Sequence, residues 1–392
     1  MPAPAQSKLA CQKQLFSLRP SCHYLNGAYM SPLSKKVEAA GWEGMIQKRT
    51  PDRIQPTDFF SPADNLRRLF ARLIHAPDPG HIALLPAASY GFAIVAKNTP
   101  LSRGQNVVVL HEQFPSNVYT WRRLCEESGA ELRTVEPPEE EEARGRIWNQ
   151  RILEAIDAQT AMVALSPLHW ADGTLFDLIR IGARVRDVGA ALVIDGTQAI
   201  GALPFDVQRV KPDAVICAGY KWLMGPYSSG VAYLGDRYLE GTPLEENWIN
   251  RRGSEDFSGL VAYESMYQEG ALRFDVGERS NFIVIPMLSA GIEHVLTWEV
   301  SKIQAYCSEL SINVLDELRA SGYRIVADSE RAAHLFGIRL PDGVALDQVK
   351  AALAHQQVSV SMRGAAVRVS PHVYNDESDL EALRDALLSC QG

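Results

Sequence analysis

The sequence predicts an α/β protein: a mostly parallel central sheet covered by helices on both faces, followed by a smaller α+β domain at the C-terminus. Three observations carry this prediction. Between residues 82 and 235, short and wholly apolar runs alternate with helical segments, the pattern of strands buried on both faces. One of these runs leads directly into Asp195 and the next is followed, past a Gly-Tyr pair, by Lys221, at the strand ends where open α/β sheets bind ligands. After about residue 287 the pattern changes to one long helical stretch, short strands and two further helices.

A chain of 392 residues can bury a large core and is long enough for two or three domains. The formal charge of −8 carries no electrostatic footprint for nucleic acid or an anionic membrane, so neither is expected as a partner. The six cysteines show neither a CxxC pair nor zinc-ligand spacing; they read as reduced thiols, with no metal site. The first residues lack the apolar core of a signal peptide, and no run reaches the roughly 18 apolar residues of a membrane span. A cytoplasmic enzyme of small-molecule chemistry is expected.

In order along the chain, residues 1–24 read as an irregular arm, with some of it available to pack on the small domain. A large domain is expected over 25–286 and a small one over 287–392. The first helix is expected to start near Ser31-Pro32 or at Ser34, since Ser with Pro at the next position is an ordinary start signal. A second helix follows from the apolar spacing of Leu66, Leu69, Phe70, Leu73 and Ile74. Strands are predicted at 82–85, 107–110, 162–165, 191–194, 214–216 and 230–234. The acidic run 136–142 reads as a solvated loop. Beyond it come a helix over 287–320, strands at 323–326 and 335–338, a helix over 346–355, two short strands and a final helix.

Asp195 and Lys221, one strand apart, suit pyridoxal phosphate. The carboxylate can pair with the pyridinium nitrogen and the lysine can form the Schiff base. A carboxylate beside a cationic ring nitrogen stays ionised, because the opposite charge offsets its desolvation. Taken alone, Asp195 also reads as a helix N-cap and Lys221 as a surface lysine; Gln198, the bulky neighbours Tyr220, Trp222, Leu223 and Met224, and the glycines at 219, 225 and 230 favour the site. A Walker-type phosphate loop is excluded, since Gly225 is followed by Pro226 rather than Lys-Ser/Thr. Ala88 and Ser89 follow a strand and open a helix whose free N–H groups can hold a phosphate, although Ser89 reads equally as a plain N-cap. Phe114, just past the next strand, can stack on a pyridine ring or belong to the core.

With these residues in place, the chain resembles the class V aminotransferase family of fold-type I pyridoxal-phosphate enzymes, which includes cysteine desulfurases, selenocysteine lyase and kynureninase. The resemblance runs from Tyr24-Leu25-Asn26-Gly27-Ala28 to Arg368-Val369-Ser370-Pro371-His372-Val373-Tyr374-Asn375. It implies that Lys221 is the Schiff-base lysine, Asp195 the pyridinium partner and Gln198 the donor to the phenolic oxygen. It also implies a phosphate cup at Ala88 and Ser89, with Asn26, Ala28, Trp170 and Arg368 at the substrate. Arg368 would grip the substrate carboxylate, for which a planar fork is suited.

The departures are informative. Desulfurases present Ser-Gly-His-Lys where this chain has Ala218-Gly219-Tyr220-Lys221, and a stacking histidine where Phe114 sits; both differences resemble kynureninase, with Tyr220 then bonding the phosphate. Trp170 stands where desulfurases carry an asparagine. Ala365-Ala366-Val367-Arg368 follows Arg363-Gly364 directly, where desulfurases insert a loop with a nucleophilic cysteine. Residues 277–281 resemble the segment that reaches the neighbouring subunit's phosphate in a homodimer, through Arg279, Ser280 or Asn281. The expectation is an aminotransferase-like or lyase enzyme acting on a small amino acid, without a desulfurase cysteine. A kynureninase-like hydrolase or C–S lyase is one alternative, and a non-catalytic cofactor-binding protein with a regulatory or assembly role is another.

Overall fold

A computed structural model describes residues 8–139 and 143–391. Residues 1–7 of the arm, which include the stretch read for a leader, and residues 140–142 of the acidic loop lie outside the described residues.

The arm ends in strand β1, His23–Tyr24, and Ser34 caps helix α1, Lys35–Gln47, accepting the Val37 N–H at 3.3 Å. Thus the second of the two start signals is the one used. Helix α2, Ser61–Leu73, buries Leu66, Phe70 and Leu73 as its spacing requires. The sheet domain then runs β2 (Ile82–Leu85), α3 (Ala88–Lys97), β3 (Asn106–Leu110), α4 (Ser116–Ser128), β4 (Glu131–Val135), α5 (Arg144–Ala155), β5 (Thr160–Leu165), α6 (Leu178–Asp187), β6 (Ala191–Asp195), α7 (Val207–Val210), β7 (Ala214–Ala218) and β8 (Gly230–Leu234).

These strands form one seven-stranded sheet in the order β2-β8-β7-β6-β5-β3-β4, in which β8 alone runs against its neighbours. Strands β2, β3, β6 and β7 are buried at every position, and separate apolar clusters pack against the two faces of the sheet. Strand β4 was not anticipated. It is an edge strand with Glu131 and Thr134 exposed, so it lacks the apolar run that marks the buried strands.

The helix expected over 287–320 is two helices, α8 (Val284–Trp298) and α9 (Val300–Ala320). The break is at Glu299, whose backbone lies at φ 61° and ψ 117°, outside the helical region. Helix α8 packs on α1 and α2, whereas α9 packs on the last helix. The first turns of α9 still contribute Ile303 and Cys307 to the core of the large region, and its later turns pack in the C-terminal one.

Beyond it come β9 (Phe336–Arg339), α10 (Leu346–His355), β10 (Val358–Ser359), β11 (Ser361–Arg363), β12 (Ala366–Val369) and α11 (Glu377–Leu388). Strands β11, β12 and β9 form an antiparallel sheet over their own apolar cluster, and β1 pairs with β10, which ties the arm to this layer. No strand forms at 323–326; only Arg324 bridges to Arg339. Three short strands stand where two were expected. Among the described residues no helix is long and apolar enough to cross a membrane, and no cluster of His, Cys, Asp and Glu is arranged to hold a metal ion.

Candidate active site

Strands β6 and β7 lie side by side with Asp195 opposite Ile216, so the Asp195 carboxylate and the turn that follows β7 share the C-terminal edge of the sheet. The chain turns sharply after Asp195, whose Oδ1 accepts the Thr197 N–H at 3.0 Å. Asp195 thus caps this turn and also borders the cavity described next. Gly196 makes the turn possible: a Cβ there would stand 2.5 Å from Ile200 and 2.6 Å from the Cys217 sulfur. On the neighbouring strand a Cβ at Gly219 would sit 2.2 Å from Ser229 Oγ, and the backbone passes from there to Lys221.

Together these residues line a cavity of about 270 Å³, near the lower end of small-molecule sites, roughly 300–1,000 Å³. Ala88, Ser89, Phe114, Trp170, Asp195, Gln198, Tyr220 and Lys221 all border it. Lys221 is 5% exposed, and its ammonium lies 5.4 Å from the Phe114 ring centroid and 5.6 Å from that of Tyr220. Nζ has no hydrogen bond or ion pair among the described residues. Burial lowers its pKa to about 8; Asp195 pulls it upward, while Arg368 and Arg363 lower it further. Burial raises the Asp195 pKa, opposed by its bonds to Thr197 and by the Lys221 charge.

Several predicted residues lie behind the cavity wall rather than in it. Asn26 does not line the cavity: its Oδ1 accepts the Ser361 hydroxyl at 2.8 Å, and Ser361 Oγ lies 3.5 Å from Arg368 Nη2, so Asn26 stands behind Arg368. Ala28 also lies outside the lining. Its N–H is given to Ser370 Oγ and its carbonyl accepts Gln198 Nε2, both at 3.0 Å. Gln198 is held further by Trp222 Nε1, which donates to Oε1 at 3.0 Å, leaving one amide proton for the cavity.

Arg368 also lies behind the lining, almost wholly buried, with Nη1 donating to the Trp170 carbonyl at 3.3 Å and Nε without a partner among the described residues. Burial and the neighbouring Arg363 lower its pKa to about 9. Trp170 meets Phe114 edge to face at 5.5 Å and donates from Nε1 to the Glu112 carbonyl at 2.6 Å.

Residues 279–281 have internal partners. Arg279 pairs with Asp275 at 3.0 Å, Ser280 bonds the Phe59 carbonyl, and Asn281 Oδ1 caps α8 through the N–H groups of Ile283 and Val284.

Sequence reasoning missed Ser166, Thr197, Tyr227 and Ser229 in the lining. Ser166 directly follows β5, so the strand-end rule that found Asp195 would have found it as well. His334 was missed too and left no local signal: from the C-terminal region it donates Nε2 to the Gln198 carbonyl at 2.8 Å while Nδ1 accepts from Gln304. Its complete burial holds it neutral, with a pKa of about 4.

The profile of the Aminotransferase class-V family matches residues 56–383. The chain belongs to that family. Pyridoxal phosphate is the cofactor of class V enzymes, and the residues at the cavity fit it: a buried lysine with a free Nζ, a buried carboxylate one strand away, a free Gln198 amide proton, and the N-terminus of α3.

Among relatives, a cysteine desulfurase of Enterobacter sp. (strain 638) is 27% identical over 258 residues, covering 65% of this chain and 61% of that protein. The chain thus matches only about three fifths of the length of that relative. An uncharacterized protein of Schizosaccharomyces pombe is 22% identical over 362 residues, 91% of this chain and 81% of its own. The fold resembles that of the Escherichia coli cysteine desulfurase CsdA, with a TM-score of 0.80, 19% identity and 97% of each chain covered. It also resembles the cystine C–S lyase C-DES in complex with cysteine persulfide, with a TM-score of 0.81, 19% identity, and 94% and 97% of the chains covered.

Proposed function

We propose that this chain binds pyridoxal phosphate covalently through Lys221 and acts on a small amino acid as an aminotransferase-like or lyase enzyme that uses no cysteine nucleophile. The observation that carries the reading is one cavity in which Asp195, Gln198 and Lys221 converge with no thiol among the described residues of its lining. Arg363-Gly364-Ala365-Ala366 is a tight turn joining β11 to β12, with no inserted loop. Cys217 and Cys307 are fully buried, and burial raises the pKa of each far above the ordinary thiol value; that of Cys125 is pushed up to about 11. Such thiols are inert at neutral pH.

The cofactor supplies an electron sink for the bond broken next to the substrate nitrogen. Asp195 provides the fixed negative charge for its ring nitrogen, and Gln198 a hydrogen bond. Ala88 and Ser89 offer backbone N–H groups for the phosphate, with the Tyr220 hydroxyl, which has no other partner among the described residues, beside them. Phe114 covers the ring. A lysine with a pKa of about 8 can accept and return a proton near neutral pH, so Lys221 Nζ is the general base and acid. Arg368 orients the α-carboxylate, and Asn26 positions Arg368 through Ser361. The exposed side chains of Tyr29, Met30, Trp42, Met45 and Ile283 suit a homodimer.

Borohydride reduction followed by peptide mapping should place the adduct on Lys221; an adduct on another lysine, or none in cofactor-saturated protein, overturns the assignment. A panel of amino acids assayed with and without an α-keto acid separates amino transfer from elimination. A substrate-dependent persulfide on any of the six cysteines, lost with activity when that cysteine becomes alanine, would return the chain to desulfuration.

A further inference from the structure

The β11–β12 hairpin brings two arginines to one place. Its register sets Arg363 opposite Ala366 and Ser361 opposite Arg368. Alternate residues of a strand share a face, so Arg363 and Arg368 project from the same side of the hairpin. Both meet one indole: Arg363 Cζ lies 5.2 Å and Arg368 Cζ 5.6 Å from the Trp170 ring centroid. Trp170 in turn borders the cavity and touches Phe114, which lies over Lys221.

Neither guanidinium forms an ion pair with a described carboxylate, and the Nε of each is buried without a partner. Among the described residues Asp195 is the only carboxylate in the cavity lining. In the cleft on the outer side of Arg363, Asp172 is held by Arg144 and His169, while Glu112 and Asp342 are not paired with Arg363. One α-carboxylate occupies one arginine fork. A second partly buried cation beside it, with no counter-ion among the described residues, is costly unless a second anion arrives with the substrate.

We infer that the substrate is an amino acid with an acidic side chain, its α-carboxylate on Arg368 and its second acid group on Arg363. This rests on the function proposed above and names the substrate class of the same site. Arg363 is then the specificity-determining residue, and an amide in place of the side-chain acid leaves it unpaired.

The test titrates cofactor-loaded protein with succinate and glutarate against propionate and butyrate, following the cofactor absorbance and the melting temperature. It is repeated with L-aspartate and L-glutamate against L-asparagine and L-glutamine. Diacids should bind on the order of 10- to 100-fold tighter than monoacids, and the acidic amino acids should be favoured over their amides by a similar factor. Arg363→Gln should abolish the preference and Arg363→Lys should keep part of it, while Arg368→Gln should weaken acids and amides alike. If borohydride places the cofactor on Lys221 but diacids bind no better than monoacids, or Arg363→Gln keeps the preference, this inference fails and the function stands. If no cofactor reaches Lys221, the function fails first and the inference with it.

Discussion

The floor of the cavity and its rim are built on different principles. Asp195 and Lys221 sit at the ends of adjacent strands of one sheet, and each charge moderates the burial cost of the other. Arg363 and Arg368 come from a hairpin near the C-terminus and stand behind Trp170 at the cavity's edge, with no carboxylate partner among the described residues. A floor that holds its own counter-charge suits a resident cofactor. A rim left short of anions suits a transient, negatively charged visitor. Changes in the floor should therefore remove chemistry from every substrate, whereas changes in the rim should alter which substrates bind.

The largest effect is expected at the floor. Asp195→Ala should lower turnover by about 100-fold or more for every substrate, since it removes the fixed charge that supports the electron sink, while circular dichroism shows the fold intact. Near-normal turnover would erase the distinction between floor and rim. At the rim, Arg368→Gln should lower kcat/KM by about 100-fold, mainly through KM, with the cofactor absorbance unchanged. A fall in cofactor content instead would make Arg368 part of the floor.

A smaller effect separates the cost of burying the Lys221 charge from its use. In cofactor-free protein the folded-state pKa of about 8 lies below the ordinary value of 10.5, so the unfolded chain holds more protons between those values. Stability from this group therefore rises with pH across that window, and the cost is fully present below pH 8. Lys221→Met should stabilise the cofactor-free protein by about 1–3 kcal/mol at pH 7, less what Asp195 loses with its partner, and the advantage should vanish by about pH 10.5. Thermal melts at pH 7 and pH 10 would show it, and an equal gain at both would disprove the account. The smallest effect is at the joint between the two regions. Glu299→Gly should relieve a positive φ and raise stability by about 1 kcal/mol; a loss of stability would mean that the Glu299 bond to Lys302 outweighs the strain.

Much of the floor was legible because its signals are local. Each buried strand is a contiguous apolar run, and the residue after it falls at the sheet edge whatever surrounds it. Edge strand β4 was missed for the complementary reason, since exposure removes the apolar signature. Glu299 carries no helix-breaking side chain, and the break there comes from α8 packing on one region and α9 on another. Arg368 was anticipated only through family resemblance, and Arg363 was noted only as the start of a missing loop.

The sequence by itself determined the α/β class, the strand ends that bear Asp195 and Lys221, and the absence of any cysteine between 307 and 390, because periodicity and residue identity suffice for each. Only the tertiary structure decided that Asn26 serves Arg368 through Ser361, that His334 fastens the Gln198 backbone, and that Arg363 and Arg368 share Trp170. These contacts join segments far apart in the chain. Their geometry is set by how the hairpin packs over the sheet, a property of the whole folded core that no local run of residues encodes.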